Sequence, residues 1–237
     1  MWLEACGLRL EAVVFDFDGV IANSEPLHFR AYERVLAREG VTLSESDYFA
    51  RYLGFDDVGA FEAIARDRGV RWTRSDVTAL VARKAIELEA LERDVSVLFP
   101  GAADAITRTA AIVPIAIASG ARGDEIRRVL RREHLETLFT AIVSAEDTPV
   151  SKPSPAPYLR ALSLLREARG AAIDAAHCVA IEDSRWGLES ARAAGMRTIA
   201  VTNTYDKAAL TAFADVVIPS LEVLDLDVLA SPGRNRA

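Results

Sequence analysis

Six polar side chains follow short apolar runs of the sequence, and their types suit the binding of a metal ion and a phosphoryl group. Four are carboxylates, one is a hydroxyl and one is an ammonium. They are Asp16, Asp18, Ser119, Lys152, Glu182 and Asp183. In open α/β sheets, ligands bind beyond the carboxyl ends of the strands, so we expect these groups to meet at one edge of a sheet.

The carboxylates predict a site for a hard cation. Asp16 continues an apolar strand, where an unpaired charge is costly, and Asp18 lies two residues on, facing the same way. Taken alone, an Asp-X-Asp sequence is more often a turn or a helix cap. Together with Glu182 and Asp183, however, the two aspartates form an oxygen-rich set of the kind that Mg²⁺ prefers.

Ser119 and Lys152 suit the binding of an anion next to that cation. Each has an ordinary alternative, because a Ser-Gly pair such as Ser119-Gly120 forms common turns and a loop lysine is usually solvated. Directed at the same place as several carboxylates, they would hold phosphoryl oxygens and balance charge. Ser119, Gly120 and Lys152 are therefore candidate substrate-binding residues.

Alternating strands and helices are predicted to position these groups. Short apolar runs rich in β-branched residues predict strands near residues 12–17, 113–119, 139–144, 177–183, 197–202 and 215–220. Helical periodicity separates the later runs. The sequence therefore predicts an α/β fold, with a Rossmann-like, doubly wound parallel sheet that has helices on both faces.

The segment 21–95 interrupts this alternation. It contains apolar stripes at helical spacing and no convincing strand, and Phe99-Pro100-Gly101 marks the return to the α/β pattern. We therefore predict two domains: an α/β core of residues 1–20 and 96–237, and an inserted, all-helical cap of residues 21–95.

Composition excludes several classes of protein. A net charge of -7 argues against a nucleic-acid partner. Cys6 and Cys178 belong to no cluster with metal-ligand spacing, which argues against a structural zinc site and a disulfide framework. The longest apolar stretches are about half of a membrane span. We expect a cytoplasmic monomer without a membrane partner.

The motifs resemble those of the haloacid dehalogenase superfamily of phosphotransferases, in order and over nearly the whole chain. FDFDGV is similar to the first motif, IASG to the second, SKPSPAPY to the third and IEDSRWGLESARAAGM to the fourth. The insertion, with NSEPLHFRAYERVL near its start, resembles the helical cap of the branch that includes phosphoglycolate phosphatase, β-phosphoglucomutase and CbbY.

This resemblance implies a role for each core residue. Asp16 would be the nucleophile that forms an aspartyl-phosphate, and Asp18 the general acid and base, with its backbone carbonyl on the metal. Ser119 and Lys152 would hold the phosphoryl oxygens. Asp16, Asp18, Glu182 and Asp183 would hold Mg²⁺, Glu182 either directly or through water.

Two residues of the predicted cap are further candidates for substrate binding. His28 occupies the position of a histidine that is common in this branch, although a capping or surface role is equally compatible with the sequence. Lys84 lies on a later cap helix, from which it would reach an anionic group of the substrate.

The resemblance predicts a Mg²⁺-dependent phosphatase that hydrolyses a small phosphorylated metabolite, such as a sugar phosphate or a phosphoglycolate-like acid. A phosphomutase shares every core residue and is the nearest alternative. A haloacid dehalogenase needs neither Asp18 nor a metal site, and a non-enzymatic binding protein would not need the complete set of motif residues. The dehalogenase and the binding protein are therefore disfavoured, and the phosphomutase stays as the alternative.

The cap separates the phosphatase from the mutase. In the β-phosphoglucomutase branch, an arginine shortly after a glycine meets the second phosphate. The similar stretch here, Leu53–Val58, has Asp56 and Asp57 near that place. Carboxylates would repel a second phosphate, although Arg51 or Lys84 would attract one.

Overall fold

The strand order of the central sheet reverses between two neighbouring strands, and the carboxyl ends of these two strands lie side by side. A computed structural model describes residues 10–53, 55–93 and 95–225. Its strands are β1 (Ala12–Phe15), β2 (Ile115–Ala118), β3 (Phe139–Val143), β4 (Cys178–Glu182), β5 (Arg197–Val201) and β6 (Val216–Ile218). They form one parallel sheet in the order β3-β2-β1-β4-β5-β6. The switch point, where ligands bind in such sheets, therefore lies between β1 and β4.

Helices cover the sheet because its central strands are apolar on both faces. Val13 and Val14 alternate between the faces of β1, yet both are fully buried. The helices of this unit are α5 (Ala102–Ala110), α6 (Gly123–Arg132), α7 (Ala156–Arg169), α8 (Arg185–Ala193) and α9 (Lys207–Leu210); α1 to α4 belong to the insertion. The α/β, Rossmann-like, doubly wound architecture predicted from the sequence is confirmed.

The regular elements among the described residues of the inserted segment are helices. It contains α1 (Glu25–Arg38), α2 (Glu45–Asp47), which continues as a π-helical turn over Tyr48–Tyr52, α3 (Asp57–Arg68) and α4 (Arg74–Glu92). Aromatic side chains form much of its core: the Tyr32 and Phe61 ring centroids are 5.0 Å apart. The described residues up to Asn23 and from Leu98 onward form one compact unit, and Ser24–Val97 form a second.

The chain leaves and re-enters the α/β unit at neighbouring points. Ala22 and Leu98 pair as an antiparallel bridge, and the Phe99 amide donates to the Ile21 carbonyl at 2.9 Å. The insertion therefore begins and ends beside the loop that follows β1. Within the described residues, no helix is long and apolar enough to cross a bilayer. Cys178 is a buried free thiol, whereas Cys6 lies outside the described residues.

Candidate active site

Three carboxylates meet at the switch point. Asp16 directly follows β1, while Glu182 ends β4 and Asp183 follows it. The two strands are neighbours, with Phe15 opposite Ile181, and the Asp16 amide donates to the Ile181 carbonyl at 2.9 Å. One oxygen from each of the three carboxylates lies within 4.8 Å of the others, and all three residues are buried.

This carboxylate cluster is electrostatically unfavourable by itself. Burial raises the pKa of Asp16, and the negative charge of Glu182 adds to this effect. Burial also raises the pKa of Asp183, reinforced by the charges of Glu182 and Asp16. Both shifts mean that the fold makes it costly for these groups to be ionised together, so a cation placed among them would be strongly stabilised.

Lys152 supplies part of that positive charge. Its Nζ lies 2.6 Å from Glu182 Oε1 and 2.8 Å from Asp16 Oδ1. Burial alone would lower the pKa of Lys152, but the charges of Asp16 and Glu182 outweigh burial and raise it. Asp16 Oδ1 is buried and, among the described residues, has no hydrogen-bond partner besides this ion pair with Lys152.

Donors from three elements hold the Glu182 carboxylate. Its Oε1 accepts from Lys152 and from the Tyr158 hydroxyl at 2.7 Å; its Oε2 accepts from the Asp183 amide and the Ser184 hydroxyl, both at 3.2 Å. A Cβ on Gly187 would overlap the Glu182 carboxyl group. The side chain is therefore fixed in position by α7, by the start of α8 and by its own strand.

The cluster fits Mg²⁺. Three carboxylates face one ammonium, which leaves an excess of negative charge, and the buried Asp16 Oδ1 has no further hydrogen-bond partner within the described part of the chain. Among the described residues, the group that could hold a metal contains carboxylates only. Carboxylate oxygens are the ligands preferred by Mg²⁺, whereas zinc and copper favour nitrogen and sulfur.

Asp18 lies in the turn that follows Asp16. This turn closes on itself, because Asp18 and Ala22 form a backbone bridge and the Gly19 amide donates to the Ala22 carbonyl at 3.0 Å. Gly19 has a φ of 75°, and a Cβ there would overlap Asp183 Oδ2. The turn that carries Asp18 therefore packs directly against the carboxylate cluster.

Ser119 and Gly120 follow β2, the other neighbour of β1. With Phe15 opposite Ile117, the register places Ser119 at the same sheet edge as Asp16. Ser119 is 3% exposed, and its Oγ accepts from the Ala121 amide at 3.1 Å, so the hydroxyl is already oriented by its own loop. Gly120 is exposed.

His28 and Lys84 meet in the helical unit. The Lys84 ammonium lies 2.9 Å from His28 Nδ1, 2.7 Å from Asp57 Oδ1 and 5.1 Å from the Tyr32 ring centroid. Lys84 is only 1% exposed. Asp56 instead caps α3 by accepting from the Gly59 amide at 2.7 Å. Both aspartates near the place of the mutase arginine thus have partners within the helical unit.

Four contributors to the site were missed from the sequence. From the sequence, Tyr158 was interpreted as an apolar position of a helix, and Ser184 as part of the fourth motif without a role of its own. Asn203 and Thr204 follow β5, where Asn203 Nδ2 donates to the Gly19 carbonyl at 2.8 Å and the Thr204 hydroxyl lies beside the Asp183 carboxylate. A polar pair directly after a central strand, at the same sheet edge, is the one signal that would have identified the last two.

Known proteins share both the sequence pattern and the fold. A family profile described as "haloacid dehalogenase-like hydrolase" matches residues 13–201. Protein CbbY of Rhodobacter capsulatus is 32% identical over 224 residues, which cover 90% of this chain and 95% of that protein. Hexitol phosphatase B of Escherichia coli K12 is 33% identical over 196 residues, covering 81% and 84% respectively.

Two further similarities differ in extent. The crystal structure of CbbY from Rhodobacter sphaeroides in complex with phosphate has a TM-score of 0.76 at 26% identity, covering 90% of this chain and 96% of that one. Protein SUPPRESSOR OF QUENCHING 1, chloroplastic, from Arabidopsis thaliana is 31% identical over 204 residues, or 85% of this chain. This chain spans 19% of that longer protein's length.

Proposed function

The chain belongs to the haloacid dehalogenase-like hydrolase family, and from this premise we propose that it is a Mg²⁺-dependent phosphatase of small phosphorylated metabolites. The phosphoric monoester hydrolases among its relatives support the class of enzyme. The observation that carries the proposal is the buried cluster of Asp16, Glu182 and Asp183 with Lys152 at the switch point of the sheet.

In the proposed reaction, Asp16 is the nucleophile. A carboxylate oxygen of Asp16 attacks phosphorus, the bond from phosphorus to the substrate oxygen breaks, and Asp18 gives its proton to the departing alkoxide. Water then attacks the phosphorus of the aspartyl-phosphate while Asp18 accepts a proton from it. Inorganic phosphate leaves, and Asp16 is regenerated as a carboxylate.

The other site residues make it possible for two anions to approach each other. Lys152, already 2.8 Å from Asp16 Oδ1, would balance the charge of the phosphoryl group, and Ser119 with the Gly120 amide would hold its oxygens. Asp16, Glu182, Asp183 and the Asp18 carbonyl would hold Mg²⁺. When bound, Mg²⁺ supplies positive charge that shields the nucleophile from the phosphate dianion.

A sugar phosphate or sugar-alcohol phosphate is the proposed substrate class. Hexitol phosphatase B, among the relatives, is named for such a substrate. His28 and Lys84 remain our proposed substrate-binding residues of the helical unit. Because Asp57 pairs with Lys84 at 2.7 Å, this ammonium is largely neutralised, which favours a substrate with one phosphate over a bisphosphate. We therefore propose hydrolysis rather than mutase chemistry.

An assay of phosphate release tests this function. The purified protein is supplied with Mg²⁺ and a panel of hexose phosphates, hexitol phosphates, phosphoglycolate and nucleotides. We expect turnover of at least one sugar or sugar-alcohol phosphate, lost on exhaustive chelation and restored by Mg²⁺. Undiminished turnover in the chelated protein would contradict the metal requirement, and absence of phosphate release from the whole panel would contradict the phosphatase.

A second assay separates the mutase. β-Glucose 1-phosphate is supplied with glucose 1,6-bisphosphate as primer, and glucose 6-phosphate and free phosphate are followed together. We expect phosphate release to dominate. Formation of glucose 6-phosphate much faster than phosphate release would overturn the phosphatase in favour of the mutase.

A further inference from the structure

The loop that follows β5, residues 202–206, contacts two parts of the proposed catalytic site. Asn203 Nδ2 donates a hydrogen bond of 2.8 Å to the Gly19 carbonyl, a contact between residues 184 positions apart in the chain. The hydroxyl of the neighbouring Thr204 lies beside the Asp183 carboxylate and favours its ionised form. Consecutive side chains of one loop therefore contact the turn of the proposed general acid and one proposed metal ligand.

These contacts form a closed ring. A Cβ on Gly19 would overlap Asp183 Oδ2 and would lie 2.9 Å from Thr204 Oγ1. Gly19 thus packs on Asp183, the Thr204 hydroxyl lies beside both of them, and Asn203 donates to the Gly19 carbonyl. The turn that carries Asp18 and the Asp183 carboxylate therefore both contact this one loop.

Both ends of the loop are held by contacts other than these two. At one end, the Thr202 amide donates to the Ile218 carbonyl at 3.1 Å and the Thr202 hydroxyl to the Pro219 carbonyl at 3.3 Å. At the other end, Asp206 caps α9 by accepting from the Ala209 amide at 2.8 Å. The loop is therefore anchored to β6 and α9, and the side chains of Asn203 and Thr204 act on the catalytic residues.

We propose that Asn203 and Thr204 are positioning residues: Thr204 orients Asp183 for the metal ion, and Asn203 holds the turn that presents Asp18 to the leaving group. This inference rests on the proposed function. Partners that orient metal ligands typically change metal affinity or activity by about 10- to 100-fold when they are removed. The two residues act on different steps, so their substitution produces two different defects.

Mg²⁺ binding tests Thr204 without any substrate. Calorimetric titration of MgCl₂ into the protein compares Thr204→Val, which keeps the branched shape but lacks the hydroxyl, with Thr204→Ser, which retains it. Thr202→Val is the matched control, because its hydroxyl binds the Pro219 carbonyl instead. We expect Thr204→Val to weaken Mg²⁺ binding by about 10-fold or more, while Thr204→Ser and Thr202→Val bind like the unsubstituted protein.

Rapid-quench kinetics test Asn203. Asn203→Ala loses the amide donor, and we expect slower phosphorylation of Asp16 by an alkyl phosphate, which needs a proton from Asp18. Phosphorylation by p-nitrophenyl phosphate, whose leaving group needs little protonation, is expected to change far less. Loosening of the fold in general would slow both substrates alike, and Thr202→Val is expected to slow neither.

The outcomes distinguish this inference from the proposed function. Normal Mg²⁺ binding by folded Thr204→Val, or equal losses in Thr204→Val and Thr202→Val, would overturn the role of Thr204. Equal slowing of both substrates in Asn203→Ala would overturn that of Asn203. Should Thr204→Val fail to fold, Thr204→Ala gives the same readout. Absence of Mg²⁺ binding by the unsubstituted protein would overturn the proposed function together with the inference.

Discussion

Two buried lysines, one in each unit, have closely similar surroundings. Lys152 lies between Asp16 and Glu182 with its Nζ 5.3 Å from the Tyr158 ring centroid; Lys84 lies between Asp57 and His28, 5.1 Å from the Tyr32 ring centroid. In each cluster a tyrosine hydroxyl donates to the carboxylate partner of the lysine. The two clusters differ in how well their charges are balanced.

The pKa values of Asp16 and Asp57, which pair with these two lysines, are shifted in opposite directions. Around Lys152, burial and mutual repulsion raise the pKa values of Asp16 and Asp183. In the helical unit, burial would raise the pKa of Asp57 too, but the charge and hydrogen bond of Lys84 outweigh burial and lower it. Burial raises the pKa of Glu25, and the charge of Lys84 only partly opposes this effect. The Glu25 carboxylate accepts a hydrogen bond from the Tyr48 hydroxyl.

The comparison separates a cluster with an excess of negative charge from a cluster whose charges are balanced. Lys84 and Asp57 satisfy each other, so their cluster contributes to the stability of the helical unit. Lys152 is outnumbered by carboxylates, so its cluster would be stabilised by a bound cation. A buried lysine next to a carboxylate is therefore not sufficient evidence of catalysis, whereas an excess of buried negative charge at a strand edge is a strong indication of it.

Asp16→Asn has the largest expected effect. The variant lacks the nucleophile, so turnover falls by roughly 10⁴-fold or more and no phosphate remains covalently bound after acid quenching. Its midpoint of thermal unfolding in Mg²⁺-free buffer stays level or rises, because a repelled carboxylate is gone. Covalent trapping of phosphate by Asp16→Asn would contradict the assignment of the nucleophile.

Replacing each lysine by methionine is expected to affect different kinetic constants. Lys152→Met lowers kcat by about 10²- to 10³-fold, because the charge that faces the transferring phosphoryl group is lost. Lys84→Met leaves kcat close to its original value and raises KM by about 10-fold, since Lys84 is proposed to contact a part of the substrate that does not react. Steady-state kinetics on one sugar phosphate give both values. A loss of kcat in Lys84→Met equal to that in Lys152→Met would abolish the distinction.

Asp57→Asn is expected to lower the free energy of unfolding by about 3 kcal/mol at pH 7, because it leaves the Lys84 ammonium buried without its counter-charge. The pKa of Asp57 is lowered by folding, so its contribution is complete above the unfolded value, about 3.9, and is lost as pH falls through the lower folded value.

Urea unfolding at a series of pH values measures this difference between the unsubstituted protein and Asp57→Asn. It is expected to stay constant from pH 7 to about pH 5 and to shrink below about pH 4. Asp104→Asn is the control, because its ion pair with Arg108 is exposed and contributes about 0.5 kcal/mol or less. A difference that grows on acidification would contradict the lowered pKa.

The two tyrosine hydroxyls give the smallest expected effects. Tyr158→Phe and Tyr32→Phe each remove a donor to a carboxylate, at 2.7 Å and 2.6 Å respectively, and each lowers the free energy of unfolding by about 1 to 2 kcal/mol. Only Tyr158→Phe is expected to lower kcat, by about 10-fold, because Glu182 loses an orienting partner. Equal kcat values in the two variants would show that the Tyr158 hydroxyl is structural.

Much of the fold was predictable from the sequence because parallel strands have a local signature. Buried strands such as β1 and β4 are continuous apolar runs that end in charged residues, and their carboxyl ends must meet at one edge. Helical periodicity without a strand pattern over residues 21–95 predicted the helical insertion. The proximity of Asp16, Lys152, Glu182 and Asp183 follows from that architecture, whereas their catalytic roles remain predictions.

The supporting contacts were not predictable, because they depend on tertiary packing. Tyr158 follows the apolar period of α7, and only the docking of that helix brings its hydroxyl to Glu182. In the sequence, Asp57 is a carboxylate that would repel a phosphate. Only the packing of α3 against α4 pairs it with Lys84. Asn203 reaches Gly19 across 184 positions, a separation that no local pattern records.

The pairing of Ala22 with Leu98 has a consequence for the history of such a chain. The backbone of the α/β unit joins the two points between which Ser24–Val97 are inserted. Loop-closure entropy rises only with the logarithm of loop length, so an insertion of very different size would impose nearly the same demand on the sheet. The whole inserted segment could therefore be exchanged as one cassette, while the carboxylates and Lys152 keep their places at the edge of the sheet.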